Sequence, residues 1–195
     1  MSAEANGGRL PRSFYERSAT EVAPELVGVE VSVGRVGGLI VEAEAYEQDD
    51  PACHAFVGIT DRTSVLYGPP GHAYVYLCYG VHRMLNVVCS PEGTAGAVLV
   101  RALEPAAGET EMRARRGRQG ARELCSGPGK LCEALGIELN QTGVDLCGRD
   151  PPISIGPRAR RPELEAGPRI GISRAVSYPW RWCERGSPWL SAPAG

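Results

Sequence analysis

Between Val27 and Tyr46 the chain specifies two β-strands in succession, and the second carries two carboxylates where such a strand should be dry. Val27, Val29, Val31 and Val33 alternate with small or polar residues, the two-residue period of a half-buried strand. Gly34 to Gly38 supplies a turn and Leu39 to Tyr46 a second strand, so the segment predicts a hairpin. The same period places Leu39, Val41, Ala43 and Ala45 on one face, and Ile40, Glu42, Glu44 and Tyr46 on the other. Burying a carboxylate is costly unless it is paired. The Glu42–Glu44 face is therefore expected to line a cleft.

The rest of the chain extends this start into an α+β fold. Ser18-Ala-Thr-Glu21 has the form of a capping box and opens a first helix to Leu26. Residues 47–72 form a connection long enough to be functional. An aromatic strand follows over His72–Gly80, then strands over Met84–Cys89 and Ala97–Leu103. Arg113 to Arg122 reads as a charged helix or a solvated loop. Ser126-Gly-Pro-Gly-Lys130 opens a helix that ends at Gly136, with Ser126 as its cap. The Pro- and Arg-rich stretch 149–168 is expected to be irregular surface. A last strand pair is expected near Arg169–Arg174 and Trp180–Arg185. The expectation is a tail over residues 1–9 and one compact domain over 10–195. That domain has a curved, mostly antiparallel sheet, flanking helices and a protruding hairpin.

Charge and cysteine narrow the function. The net charge is −2, yet residues 1–60 hold ten carboxylates against four arginines, whereas residues 61–195 hold thirteen carboxylates against seventeen basic residues. Such asymmetry allows one basic face on a near-neutral molecule, as DNA binding requires. Lys130 is the single lysine. Arginine cannot form a Schiff base, which leaves little room for amine-based covalent chemistry. Seven scattered cysteines without a C-x-x-C pair read as reduced thiols of a cytoplasmic protein. His54, His72 and His82 lack ligand spacing, so no metal is expected. No run approaches the ~20 apolar residues of a membrane span.

Val41-Glu-Ala-Glu-Ala-Tyr46 resembles the catalytic strand of the alkyladenine (3-methyladenine) DNA glycosylase family of the mammalian type. The resemblance continues in order through Tyr74–Gly80, Met84–Asn86, Val98–Pro105, Leu124–Cys132 and Arg185–Trp189. It implies a monofunctional enzyme that flips a damaged purine out of double-stranded DNA and hydrolyses its glycosidic bond. The lesions would be of the 3-methyladenine, 7-methylguanine, hypoxanthine and ethenoadenine class. It also implies that one copy suffices, that no cofactor is needed, and that the protein works where the DNA lies, in a nucleoid or a nucleus.

Carried over residue by residue, Glu44 would be the general base and Arg101 would help position its water. Tyr46, His54, Tyr76 and Asn86 would form the base pocket, Asn86 by crowding the amine of guanine. Tyr79 would fill the gap left in the duplex. Arg62, Ser126, Gly127 and Lys130 would approach the DNA backbone. Ala55-Phe-Val-Gly58 departs from the family's polar turn. Two other readings are a catalytically silent lesion binder of the same fold and a hydrolase of free nucleosides.

Overall fold

The computed structural model describes residues 8–194. Of the tail expected over residues 1–9, residues 1–7 lie outside the described residues. The chain then enters a short helix α1 (Arg12–Tyr15) and helix α2 (Ala19–Leu26). The capping box forms as the sequence predicts. The Ser18 hydroxyl accepts from the Glu21 N–H, and the Glu21 carboxylate accepts from the Ser18 N–H. Ala19, Val22, Ala23 and Leu26 recur at helical spacing and bury one face of α2.

Among the described residues, eight strands make one antiparallel sheet. They are β1 (Val29–Val33), β2 (Val36–Glu47), β3 (Ala73–Cys78), β4 (His82–Cys89), β5 (Gly96–Ala107), β6 (Ser154–Arg158), β7 (Leu164–Gly167) and β8 (Arg181–Glu184). The path runs β3-β4-β5-β2-β1-β6, with β8 joining β2 beside Glu42–Glu44 and β7 beyond it. The remaining helices are α3 (Glu109–Arg116), α4 (Arg122–Cys125) and α5 (Pro128–Leu135). The α+β architecture expected from the sequence is the one observed. Among the described residues, no helix is long and apolar enough to cross a membrane.

The two faces of the sheet have different jobs. Val75, Val87, Val98 and Val100 join α2 and α5 in the main core, through residues such as Leu26, Leu131 and Leu135. Their sequence neighbours Tyr74, Val88 and Ala97 point the other way and pack with Cys53, Ala55 and Leu66 of the 47–72 connection. That connection is ordered by two 3-10 turns, His54–Val57 and Ser64–Tyr67. One face therefore supplies stability and the other holds the candidate site.

Several expectations are corrected. The alternation along β2 breaks at Val41, because Ile40 faces Leu103, Glu42 faces Ala102 and Ala43 faces Val100. Val41 is an extra residue on β2 and Arg101 an extra residue on β5. Ile40, not Leu39 or Val41, consequently shares the core with Ala43 and Ala45. A bulge reverses the facing of everything before it. Residues 154–158 and 164–167 are strands rather than irregular surface. Residues 169–174 form no strand; β7 takes the place beside β8. Ser126 does not cap α5. Its N-cap is Gly127, at φ +155°, and the Ser126 hydroxyl instead accepts from Lys130 Nζ at 3.3 Å.

Candidate active site

The bulges converge on one buried ion-pair network. Glu42 and Glu44 are both fully buried. Arg101, displaced from the ladder by its bulge, lies between them, with Nε 3.2 Å from Glu42 Oε1 and Nη1 3.2 Å from Glu44 Oε2. A second guanidinium, Arg181 of β8, donates to Glu42 Oε1 at 2.6 Å. Ser191 completes the coordination of Glu42 through its N–H (2.7 Å) and its hydroxyl (2.8 Å). Two buried carboxylates thus face two buried cations, which is the condition for tolerating them.

Glu44 is held differently from Glu42. Its Oε1 accepts the Ile170 N–H at 2.7 Å, and its Oε2 accepts the Tyr46 hydroxyl at 2.9 Å as well as Arg101. Burial raises its pKa above the ordinary carboxylate range; Arg101, the Ile170 N–H and Tyr46 pull it back only in part. Burial and the Glu44 charge keep the Tyr46 hydroxyl protonated. Tyr46, Arg101 and Ile170 all line a cleft of about 780 Å³, so the carboxylate lies directly behind its wall.

The other wall is aromatic. Tyr74 and Tyr76, two residues apart on β3, stack with ring centroids 5.4 Å apart. His54 meets Tyr76 edge-on at 4.6 Å. Arg62 Nη2 lies 3.1 Å from His54 Nε2 and 3.3 Å from Nδ1, and Nδ1 lies 3.0 Å from the Tyr74 hydroxyl. Burial, reinforced by Arg62, lowers the His54 pKa to about 4. Asn86 donates its amide to the Tyr74 carbonyl at 3.2 Å and borders the same cleft.

Tyr79 borders the cleft from outside. It stands at the tip of the β3–β4 hairpin, 87% exposed, at φ +50° and followed by Gly80 at φ +72°. Gly129 lets α5 approach this hairpin: a Cβ there would meet the His82 side chain at 3.1 Å.

The sequence-predicted residues Tyr46, His54, Arg62, Tyr76, Tyr79, Asn86 and Arg101 all line this cleft, with Glu44 behind it. Ser126, Gly127 and Lys130 do not line it, although Pro128 between them does. Arg62, expected at a DNA backbone, has its guanidinium 5.3 Å from the Tyr76 ring centre.

Sequence reading missed Arg181 and Ser191 at Glu42, and also Ile170, Arg169 and Asp50. Ile170 serves through its backbone, donating to Glu44 and accepting from Arg101 at 3.4 Å. Arg169 sits in full burial against Asp50, its guanidinium 4.6 Å from the Tyr46 ring centre. A backbone role leaves no mark in sequence. The Arg169–Asp50 pair spans too many residues for any local pattern to show it.

A family model described as methylpurine-DNA glycosylase matches residues 13–188. The chain belongs to the methylpurine-DNA glycosylase family. It is 53% identical over 189 residues to a Rhodopseudomonas palustris (strain HaA2) protein named "Putative 3-methyladenine DNA glycosylase", covering 97% of this chain and 93% of the relative. Proteins of the same name from Bradyrhizobium diazoefficiens and Nitrosospira multiformis are 50% and 48% identical. The matches cover 96% and 94% of this chain, and 92% and 94% of those relatives. In this member of the family, the strand that carries Glu44 is the sheet's centre, bonded to β5 along its length and to β1 and β8 on its other edge.

Proposed function

We propose that this protein excises alkylated or deaminated purines from duplex DNA by base flipping and glycosidic hydrolysis. The observation that carries the reading is Glu44: a buried carboxylate of raised pKa, held by three groups that line an aromatic cleft. In the reaction, a water oxygen bonds to the sugar's anomeric carbon as the carbon–nitrogen bond to the base breaks and its electron pair leaves with the purine. A cationic alkylated base departs neutral, and a deaminated base departs as an anion that takes its proton from solvent. Glu44 takes the water's proton, and its charge opposes the positive charge that develops on the sugar. Arg101 fixes the carboxylate's orientation. The extruded purine would stack among Tyr46, Tyr76 and His54. Stacking is worth roughly 1–3 kcal/mol per base, comparable to the cost of extrusion. Asn86 would face the base edge, and Tyr79 would fill the vacated stack. Lys130 is exposed and outside the cleft, so no strand cleavage accompanies base release. The enzyme would act as a monomer on cytoplasmic DNA.

The test is single-turnover release of hypoxanthine and of 3-methyladenine from labelled duplexes, with Glu44→Gln as the comparison. Loss of roughly 10²–10⁴-fold in rate with duplex binding retained supports the assignment. An active Glu44→Gln removes Glu44 from its role. A wild type that binds lesions without releasing them points to a silent binder.

A further inference from the structure

Three of the four residues Phe56–Ile59 are apolar and exposed: Phe56 by 46%, Val57 by 78% and Ile59 by 69%. Exposed apolar side chains this close together on a small monomer usually mark a contact surface. The segment is not slack. The Gly58 N–H bonds the Ala55 carbonyl at 2.9 Å, and the Gly58 carbonyl accepts the Thr63 hydroxyl at 2.9 Å. The Thr63 hydroxyl also receives the Thr60 N–H at 2.8 Å, and the Tyr67 hydroxyl ties down the Ala55 carbonyl at 3.0 Å. Buried Thr63 thus staples a turn whose apolar side chains are held outward.

We infer that this turn is a second apolar wedge, which presses Val57 and Ile59 into a groove of the DNA duplex beside the flipped nucleotide. The inference rests on the proposed function. Val57 and Thr60 border the same cleft as Leu77 and Tyr79 of the β3–β4 hairpin, so two separate elements raise apolar side chains around one mouth. A nucleotide that enters the cleft brings its duplex against that rim. Phosphates offer valine and isoleucine nothing, whereas base edges and sugars in a groove can desolvate them. Exposed Arg62 and Arg174 also border the cleft and supply the cations that neighbouring phosphates require. That mixture of apolar tips and flanking arginines fits a duplex better than an apolar protein partner.

The test uses the full chain carrying Val57→Ser and Ile59→Ser together, bound to a duplex with a stable abasic-site analogue over a range of salt. Both positions are exposed, so thermal unfolding should be unchanged. Affinity should fall roughly tenfold or more, since each side chain loses apolar burial of order 1 kcal/mol or greater. The slope of log affinity against log salt should stay constant, because no phosphate contact is removed. Unchanged affinity overturns the inference, as does a loss accompanied by a shallower slope. A wild-type protein with no affinity for the duplex overturns both the inference and the function on which it rests.

Discussion

Glu42 and Glu44 share one guanidinium: Arg101 stands 3.2 Å from an oxygen of each. The two carboxylates are nevertheless unequal. Glu42 is encircled by Arg101, Arg181 and Ser191, while Glu44 meets a phenol, a backbone N–H and one side of Arg101 behind the cleft wall. Glu42 draws part of the Arg101 charge away from Glu44 and adds its own repulsion. Both effects favour the protonated form of Glu44 and so make it a stronger base.

Removing the Glu42 charge should therefore weaken the base. The charged and titratable groups around the pair are Arg101, Arg181, Tyr46, Tyr76, Cys183 and Arg169. With Glu42→Gln these remain, and Arg101 turns wholly to Glu44. The rate rises with pH as Glu44 loses its proton, so the acid limb of the pH–rate profile should move to lower pH. The plateau rate should fall. Single-turnover rates across pH measure both, and an unmoved limb would reduce Glu42 to scaffolding.

Arg169 and Asp50 form a fully buried pair, with Arg169 Nη2 3.0 Å from Asp50 Oδ1. Arg169→Leu strands the Asp50 carboxylate and should cost about 3–5 kcal/mol in urea unfolding. Arg169 also donates to the Ala45 carbonyl and lies against the Tyr46 and Trp180 rings. Asp50→Asn with Arg169→Leu should recover part of the stability, which a double-mutant cycle would measure. Full additivity would contradict the pairing.

Tyr79 holds a conformation that suits another residue. The Val81 N–H bonds the Cys78 carbonyl at 3.1 Å, and both central residues of that turn have positive φ, as in a type I′ hairpin turn. Asparagine followed by glycine is favoured there. Tyr79→Asn should stabilise the protein by roughly 0.5–1 kcal/mol while lowering excision from duplex DNA. Thermal unfolding and single-turnover rates test the two halves. A variant that is neither more stable nor slower would remove the reason for a tyrosine at this tip.

His54 should stay neutral through the physiological range, because burial and Arg62 lower its pKa to about 4. Its folded pKa lies below the ordinary value near 6.5, so the unfolded chain takes up the proton first. The stability this contributes is complete above about 6.5 and is lost as pH falls towards 4. Imidazole NMR titration checks the value. A midpoint near 6.5 would mean that the ring is solvated rather than packed against Tyr74 and Tyr76.

Local patterns announced much of this molecule. The α2 box, the first hairpin and the Tyr74–Tyr76 face follow from periodicity, capping and turn chemistry over a few residues, whereas the role of Tyr79 came only with the family resemblance. Strands β6 and β7 did not announce themselves, since Pro157 and the neighbouring prolines argue against strands. β6 ends the sheet path, and an edge strand tolerates a missing N–H. Residues 169–174 looked like a strand, yet the backbone of Ile170 serves Glu44 and Arg101 instead of a ladder.

By itself the sequence determined that a strand of this sheet would carry two glutamates and a tyrosine, with aromatic residues on another strand to meet them. Only the tertiary structure decided which glutamate is encircled and which lies behind the cleft. The paired bulges at Val41 and Arg101 leave both carboxylates on one face and place a single arginine between them. Register is a relation between strands far apart in the chain, and one extra residue reverses it. No local pattern encodes that relation.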